Sequence, residues 1–391
     1  MPKHRVISVL FLYLPKKMSK IIVLGAGMVG RAIALDLAKT HQVTSVDLQQ
    51  ASLDTINNQQ ISKVQADLSD TDQIKQLVEG FDLVVSAVPG FMGFRTLTAI
   101  IEAGKNFVDI SFLPEDILQL SELATQRNVI GIADMGVAPG MPNFIAGYYY
   151  GRMKMNHFEY MVGGLPFERR FPFEYKAPFS PIDVVEEYTR PARMKENGVV
   201  LSKPAMSDPE LLNFSPVGTL EAFNTDGLRS LLFTLPDVPN MKEKTLRYPG
   251  HIRLIHSLMA AGFFSETAIK VKNTEVVPFE FTTNLLFKSW KLQPEEREFT
   301  VMRVKLDGEK DGKKTEIVYD LFDEYDPSEK ISSMARTTGF TATAGAELIL
   351  QNYFTQKGVF PPELVGADEN CFQFVLDYLA KRNVKYVVSE K

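Results

Sequence analysis

Short apolar runs alternate with stretches of helical spacing over roughly the first third of the chain. Regular helical spacing is clearest over 28–39 and 70–79, where apolar residues recur every three or four positions. Continuous apolar strands separated by helices predict a parallel sheet that is covered on both faces, and right-handed crossovers make such a sheet doubly wound. The predicted strands are 21–24, 43–46, 64–66, 83–87, 107–110 and 129–133.

This alternation ends at a cluster of proline and glycine over 136–142, which predicts a domain boundary. Strand-like alternation follows, and it predicts a second, α+β domain built on an antiparallel or mixed sheet. Its predicted strands are 159–162, 275–281, 299–306 and 315–319, with a hairpin loop at 307–312. We therefore divide the chain into an extension (1–18), a first domain (19–140), a substrate and dimerisation domain (141–333), and a helical segment (334–391) that packs back on the first domain.

The extension contains an apolar run, 6–14, flanked by basic residues. It is much shorter than the roughly 20 residues that a membrane-spanning helix needs, and no small-residue cleavage site follows it. We therefore exclude residues 1–18 from the fold, and Met18 is the alternative start. No other stretch is long and apolar enough to cross a membrane, so no membrane partner is expected.

Composition excludes several classes of function. The net charge of -5 and the lack of a basic cluster argue against a nucleic-acid partner. Cys371 is the single cysteine, and the five histidines lack a metal-binding spacing, so we expect no metal site. A lone cysteine fits a reducing, cytoplasmic compartment.

A GxGxxG motif joins the first predicted strand to the first predicted helix. Its first glycine permits a tight turn, the second lets the backbone approach a pyrophosphate, and the third lets the helix pack closely on the strand. The helix N-terminus then offers free amides to the phosphates. A glycine-rich turn without a ligand is the alternative, but the strand and helix around it favour a Rossmann-type dinucleotide site. Its residues are Gly25, Ala26, Gly27, Met28, Val29 and Gly30.

Acidic residues end the second and third predicted strands. Asp47 lies about 20 residues after Gly25, where a carboxylate binds the adenosine ribose hydroxyls. It would repel the additional phosphate of NADP, and no arginine or lysine occurs over 48–53, so NAD is favoured over NADP. Asp67 either borders the adenine or caps the next helix. Ala87, Val88 and Pro89 follow the fourth strand, where the nicotinamide would lie.

Six strings in the second half of the chain, together with the GxGxxG motif, occur in an order that resembles the saccharopine dehydrogenase family. The resemblance extends from about Lys20 to near the C-terminus, and it implies pyridine-nucleotide oxidation of a C–N bond at the ε-nitrogen of lysine or a lysine adduct. Related enzymes also suggest a homo-oligomer. The strings are 136–141 (GVAPGM), 163–166 (GGLP), 188–192 (YTRPA), 220–226 (LEAFNTD), 244–251 (KTLRYPGH) and 334–338 (MARTT).

Departures from the family pattern bear on the substrate. Relatives often have Gly-Leu-Asp-Pro-Gly where this chain has GVAPG, Ser-Tyr where it has Ser111-Phe112, and Asn-Arg-Asp where it has Asn224-Thr225-Asp226. The missing arginine removes a carboxylate clamp, which favours a small amino acid such as L-lysine, as in the lysine 6-dehydrogenase branch. The alternatives are a saccharopine dehydrogenase, glutamate- or lysine-forming, and a non-catalytic NAD-binding regulatory protein.

The proposed reaction needs a carboxylate clamp and a group that takes a proton. Arg247 is the candidate clamp, because a guanidinium binds a carboxylate through two parallel hydrogen bonds, and Arg229 is the second choice. Structural roles remain open for each candidate, including a salt bridge for Arg247 and a hydrogen-bonded turn for His251. Candidates for proton transfer are His251, Asp134 and Glu221; candidates for contact with the substrate are Asn224, Thr225 and Ser111.

Overall fold

The computed structural model describes residues 18–293 and 295–391, so the predicted extension lies outside the described residues except for Met18. Over the first part of the chain, six short strands alternate with helices, as the hydrophobic pattern predicts. The strands are β1 (Lys20–Leu24), β2 (Gln42–Asp47), β3 (Ser62–Gln65), β4 (Leu83–Ser86), β5 (Asn106–Asp109) and β6 (Ile130–Ile132). The helices are α1 (Met28–Leu37), α2 (Gln50–Asp54), α3 (Thr71–Val78), α4 (Gly90–Glu102), a 3₁₀ helix (Ile117–Leu120) and α5 (Ser121–Gln126).

The remainder mixes strands and helices. Its helices are α6 (Met141–Tyr150), α7 (Pro181–Thr189), α8 (Leu231–Thr234), α9 (His251–Ala260), α10 (Pro278–Trp290), α11 (Ser333–Leu350), α12 (Pro362–Gly366) and α13 (Glu369–Ala380). Its strands are β7 (Lys154–Pro166), β8 (Ala192–Glu196), β9 (Val199–Lys203), β10 (Glu210–Phe214), β11 (Gly218–Asn224), β12 (Met241–Arg247), β13 (Ile269–Val271), β14 (Thr274–Val276), β15 (Glu298–Lys310), β16 (Lys313–Glu324), β17 (Gly358–Phe360) and β18 (Tyr386–Glu390).

The first sheet is parallel throughout, with the strand order β17-β6-β5-β4-β1-β2-β3. Its central strands β1 and β4 are buried on both faces, which explains their unbroken apolar sequences. The order reverses between β1 and β4, and this crevice at the carboxyl ends of the strands is where doubly wound sheets bind ligands. The predicted doubly wound α/β fold is confirmed.

The second sheet has nine strands and is mixed. Its main order is β10-β11-β12-β7-β15-β16-β18, with β8 and β9 attached beside β12. Over the described residues, β12 and β7 are its one parallel pair, and the other pairs are antiparallel. Because residues of a strand alternate between faces, β12 presents Glu243, Thr245 and Arg247 on one side.

The C-terminal segment contacts both sheets. Helix α11 is buried nearly all round and packs on α1, where a Cβ at Gly339 would lie 3.3 Å from Ile33 Cγ1. Arg382 forms an ion pair of 2.8 Å with the buried Asp36 of α1, which ties the end of the chain to the first sheet. The segment also contributes a strand to each sheet, β17 and β18, whereas the sequence predicts only helix there.

One predicted strand is wrong. The pattern over 275–281 predicts a strand, but strand β14 ends at Val276 and α10 begins at Pro278. Proline fits the first turn of a helix because its missing N–H needs no partner there, and this preference outweighs the alternating pattern. Among the described residues, no helix is long and apolar enough to span a membrane.

Candidate active site

The main cavity has a volume of about 420 Å³ and lies between the first sheet and residues of the second region. One end is formed by the turn after β1, by the last residue of β2 and by the residues that follow β4. The other end is formed by β7, α7 and β12, and α11 closes part of one side through Met334 and Thr338. A ligand in this cavity would therefore contact both sheets.

The glycine turn forms the first end. Gly25 has a φ of +104°, which favours glycine, and a Cβ there would lie 2.5 Å from the Ala87 carbonyl oxygen. A Cβ at Gly30 would lie 2.0 Å from the carbonyl oxygen of Gly25, so α1 can pack on the turn only without it. At Gly27 the space is open, and this residue lines the cavity.

The start of α1 offers unpaired amides to the cavity. Arg31 donates its backbone N–H to the Gly27 carbonyl at 2.9 Å, which begins the helical hydrogen bonds. The amides of Met28, Val29 and Gly30 precede this bond and are free to bind an anion, as at other helix N-termini. The open backbone at Gly27 and these amides fit the pyrophosphate of a dinucleotide.

Asp47 lines the same end of the cavity. One carboxylate oxygen accepts a hydrogen bond of 2.8 Å from the Ala26 amide, and the other accepts one of 2.8 Å from Gln49. The carboxylate therefore holds the glycine turn in place at the carboxyl edge of the sheet. Ala87, Val88 and Pro89 lie beside it in the cavity wall.

Two predicted cofactor residues lie apart from the cavity wall. Ala26 is buried and contributes its amide to Asp47. Asp67 is exposed and accepts a hydrogen bond of 2.8 Å from the Ser69 amide, which lowers the pKa of its carboxyl. The cap of α3 is Asp70, whose side chain accepts from the amides of Asp72 and Gln73. Asp70, and not Asp67, is therefore the cap of α3, and Asp67 does not line the main cavity.

Arg247 lies at the opposite end of the cavity and is 2 % exposed. Its Nη2 donates to Glu187 at 2.8 Å, its Nε donates to the Tyr188 hydroxyl at 2.9 Å, and its Nη1 donates to the Leu246 carbonyl at 3.0 Å. A guanidinium has five N–H groups, so two remain for a ligand. Burial raises the pKa of Glu187. Arg247 therefore forms a structural salt bridge with Glu187 and still has two N–H groups that can bind a ligand.

His251 lies behind Arg247 and lines neither of the two cavities described here. Its Nδ1 donates to the Phe173 carbonyl at 2.9 Å, and its Nε2 accepts from the Tyr188 hydroxyl at 2.9 Å. Burial lowers its pKa to about 3, and the positive charge of Arg247 adds to this effect. The position therefore disagrees with a catalytic histidine: the ring stays neutral and orients Tyr188, which in turn holds Arg247.

Asp134 lines the cavity beyond β6 and is buried. Its Oδ2 accepts a hydrogen bond of 2.8 Å from Nε of Arg229, and Nη1 of Arg229 donates to the Leu113 carbonyl at 2.7 Å. The Arg229 guanidinium also lies 5.0 Å from the ring centroid of Phe112. Arg229 therefore orients Asp134 from behind the wall, and it does not line the cavity as a carboxylate clamp would.

The other predicted substrate residues lie at different depths. Thr225 lines a second, smaller cavity of about 40 Å³, where its hydroxyl lies 2.8 Å from that of Thr245. Asn224 donates to Ser207 and Asp208, away from both cavities. The Ser111 hydroxyl donates to the buried Asp109 carboxylate at 2.8 Å, and burial raises the pKa of Asp109 to about 7. Glu221 accepts from the Gly250 amide and also lies outside both cavities.

Comparison with known families agrees with this division of the site. Residues 21–132 match the saccharopine dehydrogenase NADP binding domain, and residues 136–384 match the saccharopine dehydrogenase C-terminal domain. The chain belongs to the saccharopine dehydrogenase family. The two matched ranges meet at the predicted Pro/Gly cluster.

Known members of the saccharopine dehydrogenase family are similar at low identity. The chain is 25 % identical over 304 residues to alpha-aminoadipic semialdehyde synthase of Arabidopsis thaliana, covering 66 % of this chain and 28 % of that protein. It is 24 % identical over 292 residues to saccharopine dehydrogenase [NADP(+), L-glutamate-forming] of Schizosaccharomyces pombe, covering 70 % and 64 %. It thus spans less than two thirds of the length of these relatives.

Two further matches extend over nearly the whole chain. Carboxyaminopropylagmatine dehydrogenase of Synechocystis is 22 % identical over 379 residues, covering 90 % of this chain and 94 % of that protein. The structure of apo saccharopine dehydrogenase (L-Glu forming) from Saccharomyces cerevisiae superposes with a TM-score of 0.80 at 16 % identity, covering 95 % and 100 %. This second match shows that the saccharopine dehydrogenase fold extends over both sheets.

Sequence reasoning missed several residues of this family member's cavities. Glu187, Asp183 and Phe112 line the main cavity, and burial raises the pKa of Asp183 to about 6. Glu243 lines the smaller cavity, and Thr245 lines both. The available signal was the spacing of two between Glu243, Thr245 and Arg247, which places polar residues on one face of a strand.

Proposed function

We propose that this protein oxidises a C–N bond at the ε-amino carbon of L-lysine, or of a lysine adduct, with NAD as the acceptor. The observation that carries this proposal is one cavity that reaches from the glycine turn at Gly27 to Arg247. Binding of both reactants in one cavity brings the reacting carbon next to the acceptor and removes the entropy cost of their encounter. Family membership supports the same class of reaction.

A bound nicotinamide dinucleotide would supply the hydride acceptor. In this proposal Arg247 binds the substrate carboxylate through its two remaining N–H groups, while Glu187 and Tyr188 keep the guanidinium in position. The amine must lose a proton before its carbon can lose a hydride. Asp134 is the candidate acceptor for that proton, because its carboxylate lines the cavity and Arg229 fixes its orientation. Water then adds to the resulting imine and releases the aldehyde and ammonia.

We propose NAD in preference to NADP because of Asp47. A carboxylate binds the ribose hydroxyls and repels a phosphate at the same place. The Schizosaccharomyces pombe relative is named as an NADP(+) enzyme, so the panel below compares NAD with NADP directly.

Saccharopine is the second candidate substrate, and the names of several relatives favour it. The charges in the cavity favour the smaller substrate. The basic residues that line the two cavities are Arg247 and Arg190. Arg247 already pairs with Glu187, and Arg190 already pairs with Glu186. A substrate with three carboxylates would have to share these two guanidinium groups with the protein.

The test is a panel of L-lysine and saccharopine with NAD and with NADP, followed by near-ultraviolet absorbance and mass spectrometry of the products. We expect L-lysine with NAD to yield the reduced cofactor and ammonia. Glutamate or lysine released from saccharopine, without oxidation of lysine, would replace the proposal by the second candidate. Tight binding of NAD without turnover of either compound would favour a regulatory protein.

A further inference from the structure

We propose that the smaller cavity is a subsite for a primary ammonium group of the substrate, and that the carboxylate of Glu243 is its counter-ion. This inference rests on the proposed function, because it requires an amine substrate in the adjoining main cavity. The two cavities are neighbours with a common wall. The residues that line both are Phe112, Ala138, Pro139, Val162, Glu187 and Thr245.

The carboxyl group of Glu243 is buried without a full set of partners. The residue is 4 % exposed, and its Oε2 has no hydrogen-bond partner among the described residues. Glu243 is packed against the loop after β11, since a Cβ at Gly227 would lie 2.7 Å from its Cδ. Burial raises the pKa of Glu243 to about 8. A buried carboxyl oxygen without a partner in a cavity wall costs free energy that a cationic ligand would recover.

The other acids of this cavity already have cationic partners in the protein. Both carboxylate oxygens of Asp226 accept hydrogen bonds of 2.9 Å from Arg193. Glu187 pairs with Arg247, and Glu186 pairs with Arg190. Among the described residues, Glu243 forms no ion pair within 4.0 Å, so it is the acid of this cavity left for a ligand. Tyr160, the remaining titratable group of the wall, donates its hydroxyl to the Gly227 carbonyl at 2.6 Å.

The size and polarity of the cavity fit a primary ammonium. Its volume of about 40 Å³ admits a group of about the size of a few water molecules. An ammonium has three N–H donors and no acceptor. Glu243 Oε2 and the hydroxyl oxygens of Thr225 and Thr245, which lie 2.8 Å apart, provide three acceptors. A carboxylate in the same place would face Glu243, Glu187 and Asp226, so an anionic group is excluded.

The position along β12 assigns the ends of the substrate. Alternate residues of a strand lie about 6.6 Å apart, so Glu243 and Arg247 are separated by roughly 13 Å along the strand. Thr245 lies between them and lines both cavities. A substrate whose carboxylate binds Arg247 would place its far ammonium at Glu243, because an α-ammonium is attached to the same carbon as the carboxylate. In L-lysine this is the ε-ammonium, so Glu243 binds the reacting nitrogen before Asp134 takes its proton.

The test uses the full chain with NADH present and cadaverine (1,5-diaminopentane) as the probe, so that ammonium binding is measured without oxidation and without a carboxylate. Isothermal titration calorimetry in two buffers of different ionisation enthalpy gives the Kd and the number of protons released. We expect binding to the wild-type protein at pH 7 to release close to one proton, because an ammonium ionises the protonated Glu243. E243Q should weaken the binding of cadaverine about tenfold or more and abolish the release of the proton.

Glu298 provides a matched control. It is buried, one of its oxygens also lacks a partner, burial raises its pKa to about 8, and it lines neither cavity. E298Q should keep both the wild-type Kd and the proton release. The inference is overturned if cadaverine fails to bind the wild-type protein at millimolar concentrations, if E243Q retains the wild-type values, or if E298Q loses them equally.

These outcomes are separate from those of the proposed function. Glu243-dependent binding of cadaverine with no oxidation of L-lysine would keep the ammonium subsite and remove the proposed substrate. Oxidation of L-lysine by E243Q with an unchanged KM would keep the proposed function and remove the subsite.

Discussion

At one end of the main cavity the wall is mostly backbone from a single short turn, whereas at the other end it consists of side chains drawn from elements far apart in sequence. The glycine turn needs only Gly25, Gly27 and Gly30 at the right spacing, and its partner Asp47 ends the next strand. The opposite end depends on the relative position of α7 and β12. A backbone site is therefore encoded locally, while a side-chain site requires the tertiary fold.

The largest effect should come from the residue where the turn and helix meet. G30V would place side-chain atoms against the Gly25 carbonyl, since even a Cβ would lie 2.0 Å from that oxygen. We expect cofactor affinity to fall more than about 100-fold and the melting temperature to fall with it, because α1 must move away from the turn. Calorimetry with NAD and a thermal unfolding scan measure both.

G27A is the matched control for that substitution. A Cβ at Gly27 meets no atom within 4 Å, but the residue lines the cavity. The melting temperature should stay near the wild-type value while NAD binds about tenfold more weakly. If G30V retains both affinity and melting temperature, the close approach at this turn does not govern cofactor binding.

The second largest effect is expected from a substitution of Arg247, at the substrate end of the cavity. R247K keeps a positive charge for the half-buried Glu187 but loses the planar fork. We expect the KM for L-lysine to rise about 30-fold with a smaller change in kcat, because only one of two carboxylate hydrogen bonds survives. Steady-state kinetics measure both constants. The Kd for cadaverine, which has no carboxylate, should not change when it is measured by calorimetry with NADH present; a rise in this Kd equal to the rise in the KM for L-lysine would contradict the assignment of Arg247 as a carboxylate clamp.

A smaller effect is expected at the ribose position. D47N keeps one acceptor oxygen for the Ala26 amide, gives up the hydrogen bond from Gln49, and removes the negative charge that opposes a phosphate. The ratio of kcat/KM for NADP to that for NAD should rise about tenfold. D67N, at the end of the neighbouring strand but outside the cavity wall, should leave the ratio unchanged. A wild-type protein that already prefers NADP would show instead that Asp47 serves only to hold the turn.

The sequence predicted the parallel sheet and the glycine turn because both depend on local patterns. Continuous apolar runs identify buried parallel strands, and Gly30 is required by a contact only five residues away. The strand at 275–281 was wrong because a short alternating pattern cannot be told from a helix start at Pro278. Strands β17 and β18 were missed because their place in the sheets is set by distant partners.

At the substrate end, residue type was a poor guide to position. Of the predicted residues, Arg247 and Asp134 line the main cavity, whereas Ser111 lies outside its wall and donates to Asp109. Glu243 was missed because its spacing of two from Thr245 and four from Arg247 shows only that the three residues share one face of a strand, and not that this face lines a cavity. Glu243 differs from Glu187 in that it is buried and has no cationic partner among the described residues. Both properties depend on the tertiary fold.

The smallest effect on activity should come from His251, one of the three residues that the sequence offered for proton transfer. Its pKa is lowered by burial to about 3, so the unfolded chain gains a proton below about pH 6.5 while the folded protein does not. Stability from this residue is therefore complete above pH 6.5 and is lost as the pH falls, by roughly 2 kcal/mol between pH 7 and pH 5. Urea unfolding measures this difference: between pH 7 and pH 5, the free energy of unfolding of H251Q should fall by about 2 kcal/mol less than that of the wild type. The kcat/KM of H251Q at neutral pH should change little. If H251Q instead loses much of its kcat while its stability and the pH dependence of that stability stay those of the wild type, His251 takes part in proton transfer.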